Sequence, residues 1–432
     1  MKIFFKAIDN SPLIVFRIFF GFLVACESFG AILTGWVKRV LIDPQFTFSF
    51  IGFEWLQPLP GFGMYFYFVL MGFFGLAIML GYRYRIAIIA YTLLWAGAYF
   101  MQKSSYNNHY YLLLLISFLM IFLPANRYAS LDVKQNRVSE EKTMPYWINL
   151  LFIVQVAVVY FYASIAKFYP DWLDGTFTKN LLASSTSTPL FLELFSQKWF
   201  YLFIAYAGIL FDLLIVPLLL FKKTRTLALI ASVIFHIFNS ITLQIGIFPF
   251  FALTFALFFY EPETIRRLFL RKKSKLEDEN LSQNFYGKRI VYFLMIPYLI
   301  IQIALPLRHH FIEGDVLWTE EGHRLSWRMM LRERNGYITI QIKDLKTGSV
   351  SIYNYRKNLT DKQAQNLATK PDFIWQYCQR IKEEYKGKPI AIYIDCKNSI
   401  NRKEYKTLID PKFDMAKAKW SHFKHNEWIE LQ

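Results

Sequence analysis

Nine apolar runs divide most of the chain, at about 12–33, 62–81, 85–101, 109–124, 147–168, 199–221, 226–243, 245–260 and 289–306. A helix of about 20 apolar residues spans a bilayer, so the pattern predicts a polytopic transmembrane helix bundle. Several runs are shorter than that, and eight or ten helices, or one re-entrant segment, also fit. Lys2 and Lys6 precede the first run, which carries Arg17 and lacks a small-residue cleavage site. It reads as a retained helix rather than a removed signal peptide.

The pattern changes after Leu305-Pro306-Leu307. Tyr337 to Ile342 alternates as a strand, Lys346-Thr347-Gly348 supplies a turn, and Ser351-Ile352-Tyr353 resumes the strand, which together predict a hairpin. Thr360 to about Tyr385 reads as one helix, capped by Thr360-Asp361 and closed by Gly387; Pro389 to Asp395 reads as another strand. The expected architecture is mostly α: a bundle over 1–306 and a small extramembrane α+β domain over 307–432.

Composition agrees with a membrane protein. Hydrophobic residues make up 55% of the 432 residues, aromatics 19%, and mean hydropathy is +0.26; many aromatics sit at run ends, as interfacial belts do. Nine crossings sort the basic residues. One side carries eighteen: Lys2, Lys6, Arg83, Arg85, Arg127, Lys134, Arg137, Lys142, Lys222, Lys223, Arg225, Arg266, Arg267, Arg271, Lys272, Lys273, Lys275 and Lys288. The other carries five: Lys38, Arg39, Lys103, Lys179 and Lys198. Basic loops stay cytoplasmic, so the N-terminus is expected inside and the tail from about Leu307 outside. The stretch 271–288 is then a cytoplasmic loop. The net charge of +17 is partly this orientation signal, and no nucleic-acid partner is needed to explain it.

That topology sends His109, Lys167, His236 and Asn239 toward the outer face; His236 and Asn239, three apart, share a helix side. An ionisable group in an apolar helix is a functional candidate by default. Each has a plainer reading. Lys167 can snorkel to the interface, His109 can belong to a capped helix start after Asn107-Asn108, and His236 and Asn239 can bond neighbouring helices. Arg17, Glu27 and Asp212 are further intramembrane charges, read as pairing with one another for structure. No metal site is expected: the three cysteines lack metal-ligand spacing, and His309-His310 reads as interfacial. Cys26 lies in the first helix, while Cys378 and Cys396 could pair in an oxidising compartment.

Matching stretches then run almost end to end: Phe16-Arg17 with Gly21-Phe22, Met79-Leu80-Gly81 with Tyr84-Arg85, Asn107-Asn108-His109, and Val159-Tyr160-Phe161 with Lys167, Asp171-Trp172 and Gly175. Phe235-His236 with Asn239-Ser240, Ile245-Gly246 with Phe248, Ser326-Trp327 with Met329-Met330, and Ile409-Asp410-Pro411 complete them. On these residues the chain resembles the vitamin K-dependent gamma-carboxylase family, whose membrane part is the HTTM domain, as a short homologue of prokaryotic type.

The resemblance implies an enzyme that uses a reduced naphthoquinone (vitamin K or a menaquinone-type hydroquinone), O2 and CO2 to convert glutamate in a peptide or protein substrate to gamma-carboxyglutamate, within membrane lipid. It makes Lys167 the base, which must be neutral to act and is helped by an apolar setting. It assigns His109 to the carbanion and CO2 stage with Asn108 in support, and places His236 and Asn239 on the quinone or glutamate side. The animal enzymes have two adjacent lysines where this chain has Ala166-Lys167; the second position is taken as the essential one. The chain also lacks their long C-terminal extension, so propeptide recognition is not carried over. An HTTM protein with another quinone- or oxygen-dependent reaction is a second reading. A transporter, which should show repeats or paired half-helices, is a third.

Overall fold

The computed structural model describes residues 2–432 except 186–188, 244–245, 277–286 and 330. The motif residues Ile245 and Met330, and much of the 271–288 loop, fall outside the described residues. Ten helices position everything that follows: α1 (Ser11–Leu33), α2 (Gly63–Leu80), α3 (Tyr84–Met101), α4 (Asn108–Ile121), α5 (Tyr146–Ile165), α6 (Thr176–Ser185), α7 (Lys198–Leu220), α8 (Arg225–Leu243), α9 (Phe248–Thr254) and α10 (Lys288–Phe311). All but the short α6 correspond one to one with the nine apolar runs. Among the described residues six (α1, α2, α3, α5, α7 and α10) are long and apolar enough to cross a membrane, while α4, α8 and α9 are shorter. The chain is an integral membrane protein.

Small residues set the closest helix contact. A Cβ on Gly21 of α1 would lie 2.2 Å from the Met79 backbone nitrogen, and one on Gly75 of α2 2.8 Å from that of Ala25. The two helices therefore meet backbone to backbone, which only small residues permit. Against α1 lies α9, continued by a 3-10 turn Phe255–Phe258. Eleven residues rise about 16 Å, roughly half the hydrocarbon thickness. This short element is fixed by aromatic packing: Phe258 stacks on Phe152 of α5 at 4.2 Å and lies 5.1 Å from Phe16 of α1.

The loops segregate to two ends. At one, β1 (Ala7–Asp9) pairs antiparallel with β2 (Thr143–Pro145). Lys273 is buried there, pairing with Asp9 and donating to Asn10 Oδ1 at 2.7 Å and the Lys142 carbonyl at 3.1 Å. The fully buried Arg17 donates to the carbonyls of Ala125, Tyr128 and Ala129 at 3.0, 3.2 and 2.6 Å. Arg17, Glu27 and Asp212 do not pair with one another, contrary to the sequence reading. Arg17 donates to these carbonyls instead, Glu27 accepts from the Tyr110 hydroxyl at 2.8 Å, and Asp212 pairs with Lys167.

At the opposite end stands the C-terminal domain, a four-stranded antiparallel sheet in the order β4-β3-β5-β6. Its strands are β3 (Arg334–Asp344), β4 (Val350–Ile352), β5 (Ile390–Ile400) and β6 (Lys406–Thr407). Ile338, Ile340 and Ile342 alternate inward, and with Ile392 and Ile394 they form one core with Phe373, Ile374, Tyr377 and Ile381. The expected single helix is two, α11 (Asp361–Thr369) and α12 (Pro371–Glu384). Pro371 is the cause: it disfavours helical backbone at Lys370 and lacks the amide hydrogen needed to continue. Thr360 and Gln363 form a full capping box at the start of α11. Cys378 and Cys396 are unpaired, and both are buried in this core. Burial pushes the Cys396 thiol up to about 12.

The domain is docked on the bundle by chemistry as well as packing. Phe48, from the loop after α1, is buried in the domain core. Asp372 receives Lys103 at 2.8 Å and Arg324 at 2.7 Å. Asp171, just past α5, accepts from Asn401 at 2.8 Å and Lys403 at 2.6 Å.

Candidate active site

The C-terminal end of α5 stops at Ile165, ahead of Pro170, which cannot continue a helix. In the intervening turn the Lys167 amide donates to the Ser164 carbonyl at 2.9 Å. This turn directs Lys167 back along its own helix. Its Nζ donates to the Ala163 carbonyl at 3.1 Å, pairs with Asp212 of α7, and lies 5.4 Å from the centre of the Trp172 ring. Trp172 is held by its indole N–H, which donates to the Ala205 carbonyl at 3.0 Å. Lys167 is 8% exposed, so its ammonium faces inward rather than up to an interface.

Lys167 and Asp212 line a cavity of about 200 Å³ between α5, α7, α8 and α9, with residues of α6 also on its wall. His109, His236 and Asn239 line the same cavity. The sequence thus marked four residues, separated by as many as 130 positions, that the fold brings to one space. His109 lies in the first turn of α4; the cap itself is Asn107, whose side chain accepts from the Tyr110 amide at 2.7 Å. The His109 ring stacks on Phe248 of α9, 3.7 Å between centres. His236 meets the edge or face of the same Phe248 at 6.0 Å and bonds the Tyr160 hydroxyl through Nε2 at 3.0 Å. Two buried polar atoms on these walls, His236 Nδ1 and Thr178 Oγ1, have no hydrogen-bond partner among the described residues. An unpaired buried donor or acceptor costs about 1–3 kcal/mol, so both are places where a ligand oxygen would be stabilising.

Asn108 lies elsewhere. It faces a second, polar cleft of about 400 Å³ between the bundle and the C-terminal domain. Its side chain donates to the Arg328 carbonyl at 3.1 Å and accepts from the Tyr106 hydroxyl at 2.9 Å. His109 and Met329 line both spaces. They are the junction between them.

Cations dominate the cleft: Arg324, Arg328, Arg332, Arg334 and Lys370 line it with Glu320 as the acidic group. Arg332 and Arg334 pair with Glu320, and Arg324 is committed to Asp372. Burial alone would raise the Glu320 carboxyl, but Arg332, His323 and Arg334 hold it well below the usual range. Burial and the neighbouring Arg324 lower Lys370 to about 8. The Arg328 guanidinium has no carboxylate partner among the described residues and contacts His309 Nε2 at 3.4 Å. The segment that brings Arg324 to Met329 here is strained. Glu320, Leu325 and Trp327 all have φ near +60°, which costs a non-glycine residue of order 1 kcal/mol or more. Trp327 locks it, buried and 4.9 Å from Tyr111 of α4.

Sequence reasoning missed Asp212 as the partner of Lys167, and missed the arginine cleft. Asp212 was visible as an acid in an apolar run. Its partner was hidden by depth: fourteen residues at about 1.5 Å each put Asp212 roughly 21 Å along α7, yet α7 starts well beyond the end of α5. Among the described residues no group of three or more His, Cys, Asp or Glu could hold a metal ion.

Comparison with known families covers both halves of the molecule. Residues 5–263 match the HTTM domain, and residues 287–432 match the lumenal domain of vitamin K-dependent gamma-carboxylase. No solved structure matches the chain. With both characteristic domains present in one polypeptide, the chain belongs to the vitamin K-dependent gamma-carboxylase family.

Proposed function

We propose that this protein is a membrane carboxylase that uses a reduced naphthoquinone, O2 and CO2 to convert peptide glutamate to gamma-carboxyglutamate. The observation that carries the reading is the junction. A lysine amine is turned into a water-poor cavity, and that cavity meets a cationic cleft at His109. The hydroquinone head group fits the first space on chemical grounds. Its walls include Phe235, Phe248 and Trp172, and the unpaired His236 Nδ1 and Thr178 Oγ1 supply partners for ring oxygens. A cavity of about 150 Å³ takes one benzene ring, so about 200 Å³ suits a head group and leaves an isoprenoid tail to run out into lipid.

When bound with O2, the reduced quinone supplies the strong base that removes a γ-proton from glutamate, and the resulting carbanion takes up CO2. The residues of the chain do the rest. Lys167 Nζ accepts the hydroquinone hydroxyl proton that starts the cycle. His236, steadied by Tyr160, and Asn239 orient the head group. The cleft draws in the glutamate carboxylate, since an excess of buried cations favours anions. His109, held flat on Phe248, serves the carbanion and CO2 stage at the junction, and Asn108 fixes the cleft wall through the Arg328 carbonyl. The charge distribution along the chain supports a cytoplasmic N-terminus and a substrate cleft on the far side of the membrane.

The test is direct. Purified protein is supplied with labelled bicarbonate, hydroquinone, O2 and a library of glutamate peptides. Label fixed in peptide, dependent on hydroquinone and O2, is the expected result. Quinone oxidation with no label in any peptide would transfer the protein to a different quinone reaction.

A further inference from the structure

Asp212 is an acid in the wall of an apolar cavity, 6% exposed, on a helix that is otherwise apolar around it. Its ion-pair partner is Lys167. The other polar groups lining the cavity include Tyr160 of α5, His236 and Asn239 of α8, His109 at the start of α4 and Thr178 of α6. Tyr160 and His236 are bonded to each other, and the hydrogen bond that Asp212 accepts comes from Lys167. An ionised carboxylate without a partner in such a wall is costly, and an apolar pair of similar size would usually be as stable or more so. A pair kept here needs a use.

We propose that Asp212 is the positioning partner of the base: it fixes the Lys167 amine in the cavity and holds the ammonium that forms when Nζ takes up a proton. The inference rests on the reading of Lys167 as the base. The lysine enters this step as an amine and leaves it as an ammonium, with the Asp212 carboxylate already in contact. In the step itself, a hydroxyl O–H bond of the bound hydroquinone breaks as an N–H bond forms on Lys167. Asp212 keeps its charge throughout, and the proton lands where the compensating charge is already in place. The proton leaves Lys167 to water before the next cycle.

The experiment uses the full chain in four forms: wild type, Lys167→Ala, Asp212→Asn and the double variant, with ethylammonium as the probe. The double variant leaves no unpaired buried charge and is the folding control. Ethylammonium should raise the melting temperature of Lys167→Ala by occupying the vacated place beside Asp212, and should leave the double variant unmoved. In hydroquinone oxygenation, ethylamine should partly restore Lys167→Ala and restore the double variant at least tenfold less. Asp212→Glu should retain more oxygenation than Asp212→Asn. Equal melting shifts, or no shift in either background, would overturn the proposal, as would equal rescue. If wild type oxidises no hydroquinone, the functional reading fails separately, and the melting comparison alone still decides whether Asp212 holds an ammonium.

Discussion

Two compartments meet at His109, and they are built on opposite principles. Below it lies a space of about 200 Å³ whose walls are mostly aromatic and aliphatic, with one ion pair. Above it lies a cleft of about 400 Å³ with five cations against Glu320. An apolar compartment makes proton transfer to an amine possible and keeps water from a strong base. A cationic one gathers carboxylates but would be a poor place for a lysine to be neutral. On the proposed function, separating the two serves both tasks, and His109 lines each space.

Emptying the lower compartment of its base should have the largest effect. Lys167→Ala should cut quinone oxygenation and carboxylation together, by about 10²–10⁴-fold, the usual range for a general base. Oxygenation at the wild-type rate in that variant would return Lys167 to a structural role.

Next in size is the joint that holds the two compartments in register. Asp372→Asn leaves Lys103 and Arg324 buried without their carboxylate, a loss of about 3–5 kcal/mol. It should show as faster proteolysis between bundle and outer domain. Burial alone would raise the Asp372 carboxyl, but Arg324 and Lys103 hold it below its ordinary value. A depressed carboxyl stabilises fully above the unfolded value of about 3.9 and loses that contribution as pH falls through the folded one. Wild-type docking should therefore hold steady from pH 5 to 7 and loosen only in stronger acid.

A smaller effect should separate cleft from cavity. Arg328→Ala should raise the half-saturating peptide concentration about tenfold, as expected for one charged hydrogen bond, and leave hydroquinone oxygenation near wild type. Added salt should weaken peptide use in the same direction. A defect confined to oxygenation would place Arg328 with the wrong compartment.

The smallest perturbation tests sidedness. Cysteines at the exposed Lys134 and Lys346 should leave activity unchanged and react from opposite sides of the membrane, Lys134→Cys from the cytoplasm. Labelling of both from one side would break the topology.

Much of this molecule was legible in its sequence because hydrophobicity is a local signal. Each of the nine apolar runs forms one helix, and the alternation from Tyr337 to Ile342 lies within β3. The charges at Lys6, Lys142 and Lys273 come together at one end, as loop bookkeeping required. What stayed hidden depends on geometry between elements. Asp212 was assigned to Arg17 and Glu27 because nothing local reports the relative depth of two helices. The split at Pro371 is local, since proline cannot continue the helix that Thr360 opens. The cleft was invisible because Arg324, Arg328 and Arg332 look like ordinary surface charge until the strained turn at Leu325 and Trp327 folds them inward. His109, Lys167, His236 and Asn239 were found because polar groups in apolar runs are rare enough to stand out.

The central claim is that His109 acts at the junction, after the base has formed and before CO2 is captured. The measurement that tests it most directly is the ratio of epoxidised quinone to fixed CO2 in His109→Ala, with purified protein, hydroquinone, labelled bicarbonate and a glutamate peptide. The account predicts that oxygenation survives while carboxylation falls, so the ratio rises well above wild type. A ratio unchanged from wild type, with both products falling together, would contradict it and make His109 part of the lower compartment alone.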